Sequence, residues 1–202
     1  MTATLSRADV LRRGLLGGGG AVLASGALRS VLAAPAAALA APGGDLAALR
    51  LLIGTELLAL DFQERALASG KLDAQARVTV KRMHADEHAH YAGLADLMSL
   101  AGQAPATADD IAFTYASGAF SSAASILKLA AELETLQLGA YVGASADVET
   151  APLRTAIAQI SANEAQHVAA LSTLAGRPAI GKAFAAALRP QAVTAVLDAF
   201  ES

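Results

Sequence analysis

Two short stretches of the chain carry residues that could bind metal ions. Both read Glu-x-x-His, as Glu87–His90 and Glu164–His167. Residues three positions apart lie on the same face of an α-helix, so each stretch offers a carboxylate and an imidazole to one point. A further glutamate precedes each stretch at a similar distance, Glu56 by 31 residues and Glu134 by 30 residues. This repeat predicts a site for two metal ions, with one glutamate from each of two helices and a Glu-x-x-His from each of two others.

The charge of these residues also favours metal ions. Four carboxylates on buried helix faces would be destabilising by several kcal/mol each without compensation. Two divalent cations would offset the four negative charges. The chain has no cysteine, so the ligands must be oxygen and nitrogen atoms, which suit iron or manganese and are acceptable to zinc.

Four predicted helices position the candidate ligands. They span about residues 45–69, 73–101, 120–143 and 150–175. Asp45 and Asp73 are candidate N-caps of the first two helices. Gly70, Gly102 and Gly176 follow the ends of the first, second and fourth helices, as expected for residues that terminate a helix. The third helix is expected to start near Phe120 or Ser121.

The candidate ligands lie within apolar stripes of these helices. In the second helix the stripe spaced by three and four residues is Val80, Met83, Glu87, His90, Leu94 and Leu97. In the third helix Glu132 and Glu134 compete, because two residues apart is about 200° around a helix and both cannot face inward. The stripe through Glu134 is apolar, whereas the stripe through Glu132 would include Lys128. We therefore favour Glu134.

Residues beside the stripes could support the ligands. Asp86 and Asn163 each precede a candidate ligand and could accept the free N–H of a ligating histidine, or could be ordinary exposed residues; for Asn163 we favour the latter. Tyr141 could hydrogen-bond a ligand or bound oxygen, although a plain core aromatic is the simpler interpretation. His84 and His88 lie outside the stripe and are interpreted as a solvated flank.

Composition and the connecting segments indicate an all-α protein. Hydrophobic residues make up 54% of the 202 residues, mainly alanine and leucine. The irregular stretch 103–118 predicts a long crossover between helices 2 and 3 of an antiparallel four-helix bundle, residues 45–176. Residues 177–202 are expected to add two short amphipathic helices, separated by Pro190, that pack on the bundle.

The first forty residues are typical of an export signal. Arg12 and Arg13 precede a mild apolar run, and Ala38–Ala40 is a candidate cleavage site. The pattern resembles a twin-arginine signal, which would deliver a folded protein to the periplasm or the extracellular space, so that a metal could be loaded before export. The alternative is a membrane anchor, but the run from Gly14 to Leu28 is shorter than the roughly 20 residues that a spanning helix needs.

Without residues 1–40 the chain is acidic. Eleven basic and 17 acidic residues remain, for a net charge of −6. Phosphate binding requires a basic face, so this balance argues against nucleic acid as a partner.

These residues resemble the ferritin-like superfamily, and more closely a branch of exported ferritin-like domain proteins that includes desiccation-related proteins. The similar segments are Ile53–Leu67, Asp86–His90, Leu133–Ala144 and Asn163–His167. Many di-iron proteins have aspartate where this chain has Asn163. The resemblance implies a bridged di-iron centre whose ligands are Glu56, Glu87, His90, Glu134, Glu164 and His167.

Several functions fit this resemblance. The leading hypothesis is a di-iron protein that oxidises Fe(II) with oxygen or peroxide in stress protection, with two iron ions as cofactor and manganese or zinc as alternatives. The rival is a non-enzymatic stress or envelope protein whose metal site is structural or vestigial. A cage-forming iron store is a third, weaker hypothesis. Expected partners are iron, oxygen or peroxide, the export machinery and, as an open alternative, a second copy in a homodimer.

Overall fold

Five α-helices form the fold of residues 41–201, which are the residues that the computed structural model describes. Their bounds are α1 Gly43–Ala68, α2 Ala74–Leu100, α3 Ala123–Ala144, α4 Ala151–Leu174 and α5 Pro190–Phe200. The all-α class predicted from the sequence is confirmed. The predicted export signal, residues 1–40, lies outside the described residues.

The first four helices pack as two hairpins. Residues 69–73 join α1 to α2, and residues 145–150 join α3 to α4. The two hairpins contact each other through α1 with α3 and through α2 with α4. The longer segment 101–122 connects α2 to α3, as a crossover between two hairpins requires. Four helix faces therefore meet along one common interior.

Local signals in the sequence account for several helix ends. The side chain of Asp73 accepts a hydrogen bond from the backbone N–H of Ala76 at 2.8 Å and caps α2, as predicted. Gly70 and Gly176, which follow α1 and α4, have φ angles of 68° and 66°. These left-handed conformations favour glycine, which has no Cβ to clash with the backbone.

The predicted starts of α1 and α3 are corrected by the structure. α3 begins at Ala123 rather than near Phe120 or Ser121, because the hydroxyl of Ser122 accepts the N–H of Ser125 and caps the helix there. α1 begins at Gly43, so Asp45 lies within its first turn and is not its N-cap.

Asp45 instead closes the N-terminus of a different helix. Its two carboxylate oxygens accept the backbone N–H groups of Glu149 and Thr150, both at 2.9 Å. Thr150 is the N-cap residue of α4. A negative charge is favourable at this end of a helix dipole. The buried carboxylate therefore ties the start of α1 to the start of α4.

Replacing Asp45 by asparagine should destabilise the protein by about 1.5–3 kcal/mol, the usual contribution of hydrogen bonds to a charged group. Burial raises the pKa of Asp45, but the backbone N–H groups of Glu149 and Thr150 lower it more, so the net pKa lies below 3.8. The stabilisation is therefore present above about pH 4 and is lost as the pH falls through the lower pKa of the folded state. Urea unfolding of both proteins between pH 7 and pH 3 measures this difference.

The exposed Asp147 in the same loop provides a matched control. Asp147→Asn should leave the free energy of unfolding within about 0.5 kcal/mol of the wild type. A stability difference between Asp45→Asn and the wild type that stays constant down to pH 3 would contradict the assigned role of Asp45.

The predicted pair of C-terminal helices is wrong in its first member. Residues 177–189 are not helical, and only α5 follows them. The reason is their close contact with α3: the N–H of Leu188 donates to the carbonyl of Gly139 at 2.9 Å. A Cβ at Gly143 would collide with the carbonyl oxygen of Leu188. A helix over these residues would satisfy its own backbone and could not lie this close.

α5 itself packs on the bundle. It contacts α1 and α3, and buries Val193 and Leu197 against them. The backbone of Phe200 accepts a hydrogen bond from the N–H of Thr114 in the crossover at 2.7 Å. Between residues 41 and 201, no helix combines the length and the apolar character that crossing a membrane requires.

Candidate metal centre

All six predicted ligands meet in the interior of the bundle. α1 and α3 contribute one glutamate each, and α2 and α4 contribute one Glu-x-x-His each. The exposed fractions are 0% for Glu56, Glu87 and Glu164, 2% for Glu134, 4% for His167 and 7% for His90. The predicted convergence is observed, and the role of these residues as metal ligands stays a prediction.

The ligand atoms form two overlapping groups, within each of which they lie no more than 4.8 Å apart. The first position is formed by Glu56, Glu87, His90 and Glu164, and the second position by Glu87, Glu134, Glu164 and His167. Glu87 and Glu164 belong to both groups. Each position thus has its own glutamate and its own histidine, and two carboxylates lie between the positions, where they could bridge a pair of ions.

Both histidines direct Nδ1 into the cluster. Nδ1 of His90 lies 3.0 Å from Oε1 of Glu164 and 3.1 Å from Oε2 of Glu87. Nδ1 of His167 lies 3.0 Å from Oε2 of Glu134 and 3.1 Å from Oε1 of Glu87. Each histidine therefore presents Nδ1 to the glutamates of its own position, and Nε2 of His167 faces the carboxylate of Asp86 instead.

Burial and crowding shift the pKa values of the cluster. Burial, followed by the charge of Glu87, raises the pKa of both Glu56 and Glu134. Burial lowers the pKa of His90, but the adjacent carboxylates, Glu164 foremost, raise it well above its usual value. The concentration of negative charge that holds protons here would also hold metal cations, which compete with protons for the same atoms.

Four carboxylate oxygens of the cluster are buried and make no hydrogen bond of good geometry, although each lies 3.0–3.6 Å from Nδ1 of His90 or His167. They are Oε2 of Glu56, Oε1 of Glu87 and both oxygens of Glu164. A buried polar atom without a partner costs about 1–3 kcal/mol, and more when it is charged. Metal coordination would satisfy these atoms, and oxygen and imidazole donors suit iron and manganese. The residues present therefore fit a pair of metal ions.

Two side chains connect α1 and α3 through the ligands. The hydroxyl of Tyr141 donates a hydrogen bond to Oε1 of Glu56. Nε2 of Gln63 donates to Oε1 of Glu134 at 3.0 Å. Each donor lies seven residues after the glutamate of its own helix and reaches the glutamate of the other. Tyr141 is thus a buried core aromatic that also hydrogen-bonds a predicted ligand, and its role in supporting that ligand stays a prediction.

The sequence analysis did not identify Gln63 and Gln137 as residues of the site. Gln63 lies on the apolar stripe of α1, where a buried polar residue is a signal that could have identified it. Gln137, one turn after Glu134, places Nε2 3.5 Å from Oε2 of Glu87. Gln137 carries the same signal, because it lies three residues after Glu134 and four before Tyr141 on the buried face of α3.

The residues that precede the two Glu-x-x-His glutamates differ in their contacts. Oδ2 of Asp86 lies 3.5 Å from Nε2 of His167 and 3.1 Å from Nε of Arg82. A carboxylate behind a ligating imidazole orients the ring and increases its basicity. Asn163 is partly exposed, and its Oδ1 is buried without a hydrogen-bond partner. Among the described residues, only the second position has a carboxylate behind its histidine in this way.

The structure shows which of the two competing glutamates of α3 faces inward. Glu134 is 2% exposed and lies in the cluster. The side chain of Glu132 is 60% exposed and lies 4.0 Å from Lys128 on the surface. The apolar continuity of the stripe therefore predicted the inward residue correctly.

A family model matches most of the described part of the chain. The family model described as ferritin-like domain matches residues 44–177. This range is about two thirds of the chain and includes α1 to α4 with all six clustered residues. No curated protein matches the chain.

Proposed function

This chain belongs to the ferritin-like domain family, and from that premise we propose that it is a di-iron protein that oxidises Fe(II) with oxygen or peroxide. One observation carries the proposal: Glu87 and Glu164 belong to both ligand groups and present three buried carboxylate oxygens without hydrogen bonds. Two carboxylates shared in this way would hold two ions close together, which suits an oxidant that takes electrons from both.

The protein side chains would bind, orient and enclose the two ions. Fe(II) held there would supply the electrons that reduce oxygen or peroxide and would itself become Fe(III). Glu56 with His90, and Glu134 with His167, would hold the outer sides of the first and second positions. Tyr141 fixes the orientation of Glu56, and burial followed by the charge of Glu56 raises the pKa of its hydroxyl, which therefore stays protonated.

The second position differs from the first in what supports its ligands. Asp86 lies behind His167, and Gln63 donates to Glu134. The carboxylate of Asp86 favours the tautomer of His167 that carries its proton on Nε2 and leaves Nδ1 free to bind a cation. Burial of the whole cluster keeps bulk water away from this charge arrangement.

The proposal extends to location and biological role. We infer that the protein is exported by a twin-arginine route and acts in the periplasm or outside the cell in protection against oxidative or desiccation stress. The support is the sequence of residues 1–40, with Arg12 and Arg13 before a mild apolar run. Cell fractionation of the full chain, compared with an Arg12→Lys/Arg13→Lys variant, tests the route: the wild type should be outside the cytoplasm and the variant retained.

The central test is metal content together with oxidant consumption. We expect the protein to bind two iron ions per chain at the buried centre and to consume oxygen or peroxide when Fe(II) is added. Elemental analysis and an oxygen electrode measure the two quantities. Binding of two iron ions with no oxidant consumed would reject the enzymatic proposal and favour the structural-metal alternative.

A further inference from the structure

A second cluster of metal-ligating side chains lies on the outer face of the α1–α2 hairpin. It consists of Glu64 from α1 and His84 and His88 from α2. We propose that these three residues, called the surface site below, bind one divalent transition-metal ion, such as zinc, independently of the buried centre. The sequence interpretation of these histidines as a solvated flank holds for the exposed His88, whereas the side chain of His84 is only 22% exposed.

The helix geometry brings the two histidines together. His84 and His88 are four residues apart and therefore occupy one face of α2. Their ring centroids lie 4.6 Å apart with the planes at 86°. One ligand atom from each histidine and one from Glu64 lie within 4.8 Å of one another. Three donors from two packed helices therefore converge without any rearrangement of the backbone.

The contact between His84 and Glu64 has the spacing of a shared ion. Nε2 of His84 lies 3.5 Å from Oε1 of Glu64. Metal–ligand bonds of about 2.1 Å in tetrahedral geometry place two ligand atoms about 3.4 Å apart. This nitrogen is itself buried from solvent and makes no hydrogen bond. A metal ion would give it the partner that it lacks.

The surface site has a different chemical character from the buried centre. The side chain of Glu64 is 64% exposed and that of His84 is 22% exposed. Three protein ligands leave at least one coordination position for water, so the ion should exchange with solvent. Two imidazoles and one carboxylate favour zinc, copper, cobalt or iron(II) over magnesium or calcium, which require oxygen ligands.

The surroundings can accommodate a hydrated ion. A cleft of about 160 Å³ adjoins the site and is lined by Glu64, His88, Asp61 and Tyr91, among others. Asp61 adds a second carboxylate to this cleft, although Arg65 pairs with it at 2.8 Å. The cleft gives a hydrated cation access from solvent to Glu64 and His88, two of the three ligands.

Counting bound zinc tests the surface site on the full chain. After equilibrium dialysis against zinc, we expect three ions per chain in the wild type and two in His84→Ala/His88→Ala. A Glu87→Gln/Glu164→Gln variant, in which the buried centre loses both shared carboxylates, should retain one. A wild type that binds one ion and a histidine variant that binds none would support the surface site and reject the dinuclear centre.

A matched pair of single variants tests the carboxylate. Glu64→Gln should weaken the third zinc ion by at least about tenfold, since even an outer-shell partner contributes about 10- to 100-fold to affinity. Glu132→Gln, which removes an equally exposed glutamate from α3, should change nothing. The same zinc count in the wild type and the double histidine variant, with both folded by circular dichroism, would overturn the proposal, as would equal effects of Glu64→Gln and Glu132→Gln.

Discussion

Glu164→Gln should lower the affinity of both buried metal positions by at least about 10- to 100-fold, whereas Glu134→Gln should affect only one. Glu164 belongs to both ligand groups, and Glu134 belongs to the second alone. Loss of an outer-shell partner alone costs about 10- to 100-fold in metal affinity, so loss of a direct ligand should cost at least as much. Glutamine keeps the shape of the side chain, so the comparison isolates the carboxylate charge.

Isothermal titration with Mn(II) measures both affinities and the number of ions. Using His84→Ala/His88→Ala as the background removes the surface site from the count. The expected result is two ions in this background, one tightly bound ion after adding Glu134→Gln, and none after adding Glu164→Gln. Glu132→Gln is the matched control, because this exposed neighbour of Glu134 should leave both ions in place. Loss of only one ion in Glu164→Gln would show that Glu164 does not serve both positions.

The six clustered residues could be predicted because their arrangement follows from helix geometry. A spacing of three residues fixes Glu87 with His90 and Glu164 with His167 on one face each, whatever the rest of the fold does. The apolar stripe then separates Glu134 from Glu132, because a helix buries a continuous face. These are local properties, and a single sequence contains them.

Contacts between helices could not be predicted in the same way. Tyr141 reaches Glu56 and Gln63 reaches Glu134 only because α1 and α3 pack at one particular register. The same holds for Asp45, whose partners lie more than 100 residues further along the chain. A capping residue is a local signal that does not identify which helix it caps.

The prediction of a helix in the first part of the C-terminal segment was wrong for a related reason. Residues 177–189 have an amphipathic pattern that favours a helix, but their backbone lies against glycine positions of α3. The absence of side chains at Gly139 and Gly143 permits this close approach, and the hydrogen bond from Leu188 to Gly139 takes the place of one within a helix. Tertiary packing thus overrode local propensity.

Removing the metal ions should lower the melting temperature by roughly 15–30 °C. A ligand that binds only the folded state at 1,000 times its dissociation constant stabilises it by about 4 kcal/mol, so two ions contribute about 8 kcal/mol. For a chain of this size, each kcal/mol shifts the melting temperature by about 2–4 °C. Calorimetry of the His84→Ala/His88→Ala protein, which lacks the surface site, measures the shift when the protein is loaded with Mn(II) and then treated with a chelator.

The melting-temperature shift on chelation, measured in ligand variants, tests whether the stabilising ions bind at the two buried positions. Glu134→Gln should show about half of the wild-type shift, because the first position keeps Glu56, His90 and both shared carboxylates. Glu164→Gln should show almost none, since both positions lose a ligand. Glu132→Gln should show the full shift. If chelation lowers the melting temperature of Glu164→Gln as much as that of the wild type, the stabilising ions bind elsewhere, and the buried carboxylates must be satisfied by protons alone.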